Sequence, residues 1–363
     1  MPQVFDAYMI IDWSASAQPT TGPNSIWVCC LEWVDGTLVQ RMLSNPATRP
    51  FAEAQIADLM SDLAARNRVT LVGFDFAFGY PAGFAARLRP DLPDWRGVWK
   101  ELKDRFGHDQ AAASNRFTLA AEMNRALSGR GFPFWGCPAT FHAEFLPHNK
   151  PDSHEYERSG LAEKRLTELR LPKTQPVWKL FTPGSVGSQT LLGIPHLFTL
   201  RTHPWLEGYT RVWPFETGLE VLERPGPEDW RLLLAEIYPS VVSPLIPPSA
   251  VKDAVQVKTL AEHFAHLDRD GRLAPLFAGD PALTAAERNL VEREEGWILG
   301  AEHCATPSIQ AYVRDPDEIY RLSAARIRAE ADLFELPADL HSTAIRIVHA
   351  CGMPDVVADL AFS

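Results

Sequence analysis

Four short apolar runs near the start of the chain, two of them closing on an aspartate, constrain the fold more than any other feature. Residues 8–11 form the first run and end at Asp12. Residues 25–32 form the second, rich in β-formers. Asp35-Gly36 follows at once, and this dipeptide suits the left-handed positions of a tight hairpin turn. Residues 37–43 supply the return strand. The period then changes: across residues 51–66, Ala54, Ile56, Leu59, Met60 and Leu63 share one side of a helix. Residues 69–74 revert to an apolar strand and deliver Asp75 at its end. Strand, hairpin, strand, helix, strand predicts an α/β fold. Its sheet should be mixed, with three antiparallel strands and then a crossover to a parallel neighbour.

The stretch 79–200 is dense in aromatics, Pro and Gly and has no sustained period, apart from helical patches at 117–127 and 160–169. It reads as a large insertion capping one edge of the sheet. Residues 230–237 read as a helix running into a strand, and 251–267 and 284–299 as helices. The character changes near Cys304-Ala305-Thr306-Pro307. Beyond it, Asp315-Pro316-Asp317-Glu318 is a helix start with a cap, a proline in the first turn and a capping-box acid. A second helix opens at Pro337 and stops at Gly352, with Leu340, Ala344, Val348 and Cys351 as its apolar stripe. Two domains are expected, 1–304 and 307–363, in keeping with a length of 363 residues.

A net charge of −11 excludes a global basic field for gripping nucleic acid, yet suits a site that gathers carboxylates around a divalent metal. The five cysteines, Cys29, Cys30, Cys137, Cys304 and Cys351, form no C-x-x-C pair. Reduced thiols and a cytoplasmic location are expected. The N-terminus has no signal-peptide pattern and no apolar run reaches membrane-spanning length.

Asp12 and Asp75 each close a central strand, and Glu236 in Glu236-Ile237-Tyr238-Pro239 closes another passage. Glu294 and Glu295 stand on the last helix before Cys304. Carboxylates at neighbouring strand ends suit hard cations such as Mg²⁺ or Mn²⁺, which prefer oxygen ligands and serve in-line phosphoryl transfer. The patterns I-I-D-W-S-A, F-D-F-A-F-G-Y-P, E-I-Y-P-S and E-E-G-W-I-L-G resemble an uncharacterised RNase H-like predicted nuclease family. The resemblance covers roughly residues 5–302. It implies an RNase H-like mixed sheet, with Asp12, Asp75, Glu236 and one of Glu294 and Glu295 as catalytic metal ligands. The last position departs from the family pattern, where Asp is expected and paired Glu stand instead. The implied partner is nucleic acid or another phosphoester. A sugar-kinase-like activity fits less well, because the segment after Asp12 lacks the glycines of a phosphate loop.

Residues 311–363 resemble the opening of precorrin-8X methylmutase, a corrin methyl-migrating isomerase of cobalamin biosynthesis. The Tyr-x-Arg-Asp-Pro-x-x-Ile-Tyr opening, Ile-Arg-Ala-Glu-Ala-Asp-Leu and Arg-Ile-Val-His-Ala-Cys-Gly-Met carry the resemblance. It implies a tetrapyrrole substrate, precorrin-8X, no cofactor, and His349 as proton donor. Imidazole titrates near neutrality and can both give and take the proton. The segment is short for a complete enzyme of that family, which predicts either a gene fusion cut short or a reading frame running into its neighbour. Three functions are therefore expected to compete: a cobalamin-associated protein with a partial methylmutase segment, a metal-dependent nuclease or phosphodiesterase, and a non-catalytic scaffold.

Three lesser features read more simply as structure. Gly184-Ser185-Val186-Gly187-Ser188-Gln189-Thr190 offers small residues for a phosphate, but reads first as a turn before Leu191. His263 and His266 read as surface or internally satisfied histidines. His142, His148 and His154, with Glu144 and Glu155, give a faint metal pattern that matches no zinc spacing.

Overall fold

The computed structural model describes residues 2–106, 115–171, 174–182, 184–239, 242 and 250–301. Cys304, Cys351, His349 and the expected helices after Asp315 and Pro337 lie outside them. The chain divides into two units, Met1–Thr306 and Pro307–Ser363, and the fold below is that of the first.

Its centre is a six-stranded sheet in the order β3-β2-β1-β4-β6-β5. The first strand, β1 (Ala7–Asp12), lies antiparallel to β2 (Trp27–Val34), which turns back into β3 (Thr37–Ser44). Asp35 and Gly36 both have positive φ (49° and 79°), the backbone a type I′ hairpin requires. Helix α1 (Arg49–Ala65) then crosses over to β4 (Thr70–Phe74), which pairs parallel to β1. Its start is set by Thr48, whose side chain accepts the amide of Phe51, and by proline in the first turn.

Between β4 and β6 lie α2 (Phe84–Leu88), α3 (Trp95–Phe106), α4 (Arg116–Ser128), α5 (Ser153–Ser159), α6 (Leu166–Arg170), α7 (Gly187–Arg201) and the three-residue edge strand β5 (Thr210–Val212). Strand β6 (Leu232–Glu236) is parallel to both β4 and β5. Helix α8 (Lys252–Arg269) and the short α9 (Ala285–Leu290) follow.

The two-residue alternation of the strands sorts the core into two layers. Met9, Ile11, Val72, Phe74, Leu232 and Leu234 face α1 and the insertion. Tyr8, Ile10, Leu71, Leu233 and Ala235 face α8, through Val257, Leu260, Ala261 and Phe264. Each fully buried Val, Leu, Ile, Met or Phe side chain among them contributes about 1.5–3 kcal/mol. Asp268 near the end of α8 fastens the start of β1. It accepts the amides of Val4 (3.0 Å) and Phe5 (2.7 Å) and the hydroxyl of Tyr8 (2.7 Å).

Three expectations need correction. The insertion does not cap an edge; its residues pack on a face of the sheet, in the same apolar layer as α1. Residues 230–231 are not helical. A turn at 227–229 leads directly into β6, and the Arg231 guanidinium binds the carbonyls of Gly226 and Pro227, fixing that turn. The last helix does not run to residue 299. It widens into a π turn at Val291–Glu295 and ends at Gly296, whose φ of 70° stops it. Ile298 then bridges to Glu236 beside β6.

Candidate functional site

Parallel pairing of β1, β4 and β6 brings their C-terminal ends to one edge of the sheet, the place where open α/β sheets collect ligands. Ile11 stands opposite Phe74, so Asp12 and Asp75 emerge side by side, and Phe74 stands opposite Glu236. Counting in twos, Asp12 follows Tyr8 and Ile10, and Asp75 follows Leu71 and Gly73, in the layer facing α8. Glu236 follows Leu232 and Leu234 in the opposite layer. The two aspartates therefore meet, and the glutamate belongs to a different environment.

All three line a cavity of about 760 Å³. The Asp12 and Asp75 carboxyls interact with one another, and each shifts the titration of the other. Burial pushes Asp12 up to about 6, with repulsion from Asp253 adding to it and Lys252 opposing it. Asp75 is held well above the usual carboxylate range by burial and then by the charge of Asp12. The Trp13 amide, 2.7 Å from Asp75 Oδ1, works in the other direction. Two desolvated carboxyls in contact cannot both carry bare charge; they retain a proton or take a cation.

Glu236 has its counter-charge built in. The fully buried Arg165 (1% exposed) donates Nη1 to Oε2 at 2.8 Å and Nη2 to Oε1 at 2.6 Å. The same guanidinium binds Glu168 Oε1 at 3.0 Å and the carbonyl of Glu295 at 2.8 Å. Phe78 adds its amide to Glu236 Oε2 at 3.0 Å. Glu294 and Glu295 are not among the residues lining the cavity. Glu294 Oε2 accepts the amides of Gly83 (2.9 Å) and Ala85 (3.3 Å) at the start of α2. Glu295 accepts those of Ala82 (3.1 Å) and Leu166 (2.7 Å). Both clamp backbone, and Gly79 permits the approach, since a Cβ there would fall on the Glu294 carbonyl oxygen.

Among the described residues no three of His, Cys, Asp and Glu are grouped to hold a metal. A cation at the cavity would thus rest on Asp12 and Asp75, with water and substrate oxygens completing its shell, an arrangement Mg²⁺ tolerates. Among the described residues the candidate histidines form no metal-ligand group, although the His142 and His148 rings meet edge-on at 5.8 Å. His154 pairs with Glu157 at 3.0 Å, His148 Nδ1 stands 3.2 Å from Cys137 Sγ, and His266 packs edge-on against Trp33.

Several contributors carry no signal in the sequence beyond helix composition. Lys252 and Asp253, in the first turn of α8, line the cavity, and Asp253 Oδ2 accepts the Asn24 amide at 2.6 Å. The turn at 184–186, expected as simple structure before Leu191, also borders the cavity. From α7, Gln189 donates to the Trp13 carbonyl at 2.6 Å, fixing the backbone that holds Asp75.

Comparison with known proteins finds a short similarity. Over 52 residues the chain is 62% identical to the precorrin-8X methylmutase of Pseudomonas aeruginosa and 44% identical to that of a Sinorhizobium species. The match covers 14% of this chain and 25% of each relative, so the chain spans about a quarter of the length of the curated relatives it matches. No family model and no solved structure matches the chain.

Proposed function

We propose that the body of this chain hydrolyses phosphoester bonds with the help of Mg²⁺ or Mn²⁺ held by Asp12 and Asp75. We further propose that its methylmutase-like segment ties the protein to cobalamin biosynthesis. The observation that carries the first reading is the desolvated Asp12–Asp75 pair, set side by side by the β1–β4 register in a cavity of about 760 Å³. An all-oxygen donor pair that is strained when both groups ionise gains most from a hard divalent cation. The mixed sheet, antiparallel from β3 to β1 and parallel from β1 onward, supports an RNase H-like scaffold for it.

When bound, the cation would polarise a phosphoryl oxygen and make water a better nucleophile. The chain's own residues supply the rest. The Trp13 amide orients Asp75, and Gln189 holds the Trp13 backbone in place. Lys252 places a positive charge near Asp12 where a substrate phosphate would lie. Arg165 fixes the Glu236 carboxylate through two hydrogen bonds, so Glu236 acts as a wall of the cavity and Arg165 as a positioning residue.

The second reading is supported by the short identity to two methylmutases. By that resemblance His349 is the proton donor toward a tetrapyrrole. The remaining three quarters of the relatives' length has no counterpart in the match, so a closed tetrapyrrole pocket is not proposed for this chain alone. The test of the first reading is hydrolysis of bis(p-nitrophenyl) phosphate by the full chain. Turnover should require Mn²⁺ or Mg²⁺ and fall at least 100-fold in Asp75→Asn, the scale expected when an electrostatic stabiliser is lost. Absence of turnover with either metal, or full activity in Asp75→Asn, would favour the scaffold alternative.

A further inference from the structure

We propose that the cavity takes a single nucleotide unit, with its base laid on Phe181, and does not accept a duplex. The phosphate end of this inference rests on the phosphoester reading above; the base end rests on separate observations. Phe181 lines the cavity and keeps 38% of its surface exposed. Its ring is supported by neighbouring aromatics. Phe117 meets it edge-on at 6.1 Å and 81°, and Phe141 backs Phe117 at 5.5 Å. The guanidinium of Arg116 lies 4.5 Å over the Phe117 ring and also borders the cavity. One exposed Phe on a surface means little. Here it stands on a fixed row of rings, inside the cavity that holds the carboxylate pair, which is how a stacking platform for a base is made.

Size and charge select the ligand. A cavity of about 760 Å³ falls within the range of small-ligand sites, about 300–1,000 Å³. A duplex presents a phosphate about every 1.7 Å and needs an extended basic face, whereas this chain carries a net charge of −11. Arg116 and Lys252 line the cavity and place positive charge there, while Arg165 is engaged by Glu236 and Glu168. Gln175, Thr182 and Ser185 add polar groups on the Phe181 side for the base edge or sugar. Stacking on an aromatic face is tolerant of base identity, so pyrimidine and purine nucleotides should both bind.

The test is equilibrium binding to the full chain in Mg²⁺, using thymidine 5′-monophosphate and the base-free deoxyribose 5-phosphate. The nucleotide should bind at least tenfold tighter. In Phe181→Ala that ratio should fall to about one, and in Phe181→Tyr it should be retained. A blunt hairpin duplex should bind no better than deoxyribose 5-phosphate. Equal affinities in the wild type, an unchanged ratio in Phe181→Ala, or preferred duplex binding would each overturn the inference. Failure of the phosphoester reading looks different. There, bis(p-nitrophenyl) phosphate is not turned over, while the base-dependent ratio and its loss in Phe181→Ala are still observed.

Discussion

The Asp12 carboxyl illustrates how one proton couples the site to stability. Its value in the native protein is raised from 3.8 to about 6, so the native state binds a proton that the unfolded chain has released across that range. Its contribution is complete below about pH 4 and is lost as pH rises through 6. Without divalent metal, the stability of wild type minus that of Asp12→Asn should therefore fall between pH 4 and pH 7. Chemical denaturation at several pH values measures it, and a pH-independent difference would contradict the account. Arg165 makes the complementary case. Arg165→Met leaves Glu236 and Glu168 buried without a cation, at a cost of about 3–5 kcal/mol. The double variant with Glu236→Gln should recover part of that loss in the same denaturation experiment; no recovery would mean that the ion pair is not the cause. Asp12 and Asp75 were legible in the sequence because each closes an apolar run. The fate of Glu236 was not, since its partner Arg165 lies far upstream in a stretch without period, and only strand register shows that Glu236 faces the other layer.

At the scale of elements, two close approaches hold the insertion against the sheet. A Cβ at Gly193, inside α7, would strike the ring of Phe76, which lines the cavity. Gly193→Ala gains up to about 1 kcal/mol of helix propensity but overpacks the core by about 1–3 kcal/mol. A net loss of melting temperature is expected, and a gain would show that Phe76 moves freely. Gly79→Ala should be worse, because its Cβ meets backbone carbonyls of the π turn that cannot rotate away. The hairpin, α1 and the parallel crossover were visible in the sequence because turn chemistry and period changed together at Asp35-Gly36 and at residue 51. The insertion was not, because three of its helices have only five to seven residues and its aromatics pack on one another without a regular repeat. Likewise β5 has only three residues, and the 230–231 segment is set by side-chain bonds of Arg231 to a turn.

For the whole molecule, the described body and the methylmutase-like segment call for separate tests. Proton transfer to a tetrapyrrole needs the acid held within hydrogen-bond reach in a closed pocket, and the match accounts for only 25% of the relatives' length. The chain alone is therefore expected to show no methyl migration on precorrin-8X in a spectroscopic assay, although it carries His349. Robust turnover abolished by His349→Ala would refute this. Calorimetric titration of Mn²⁺ into the full chain at neutral pH reads whether Asp12 and Asp75 together hold a divalent cation. One saturable site is expected, with proton release as the paired carboxyls ionise, lost in both Asp12→Asn and Asp75→Asn and retained in Glu294→Gln. No saturable binding by the wild type, or binding undiminished in the two aspartate variants, would contradict it.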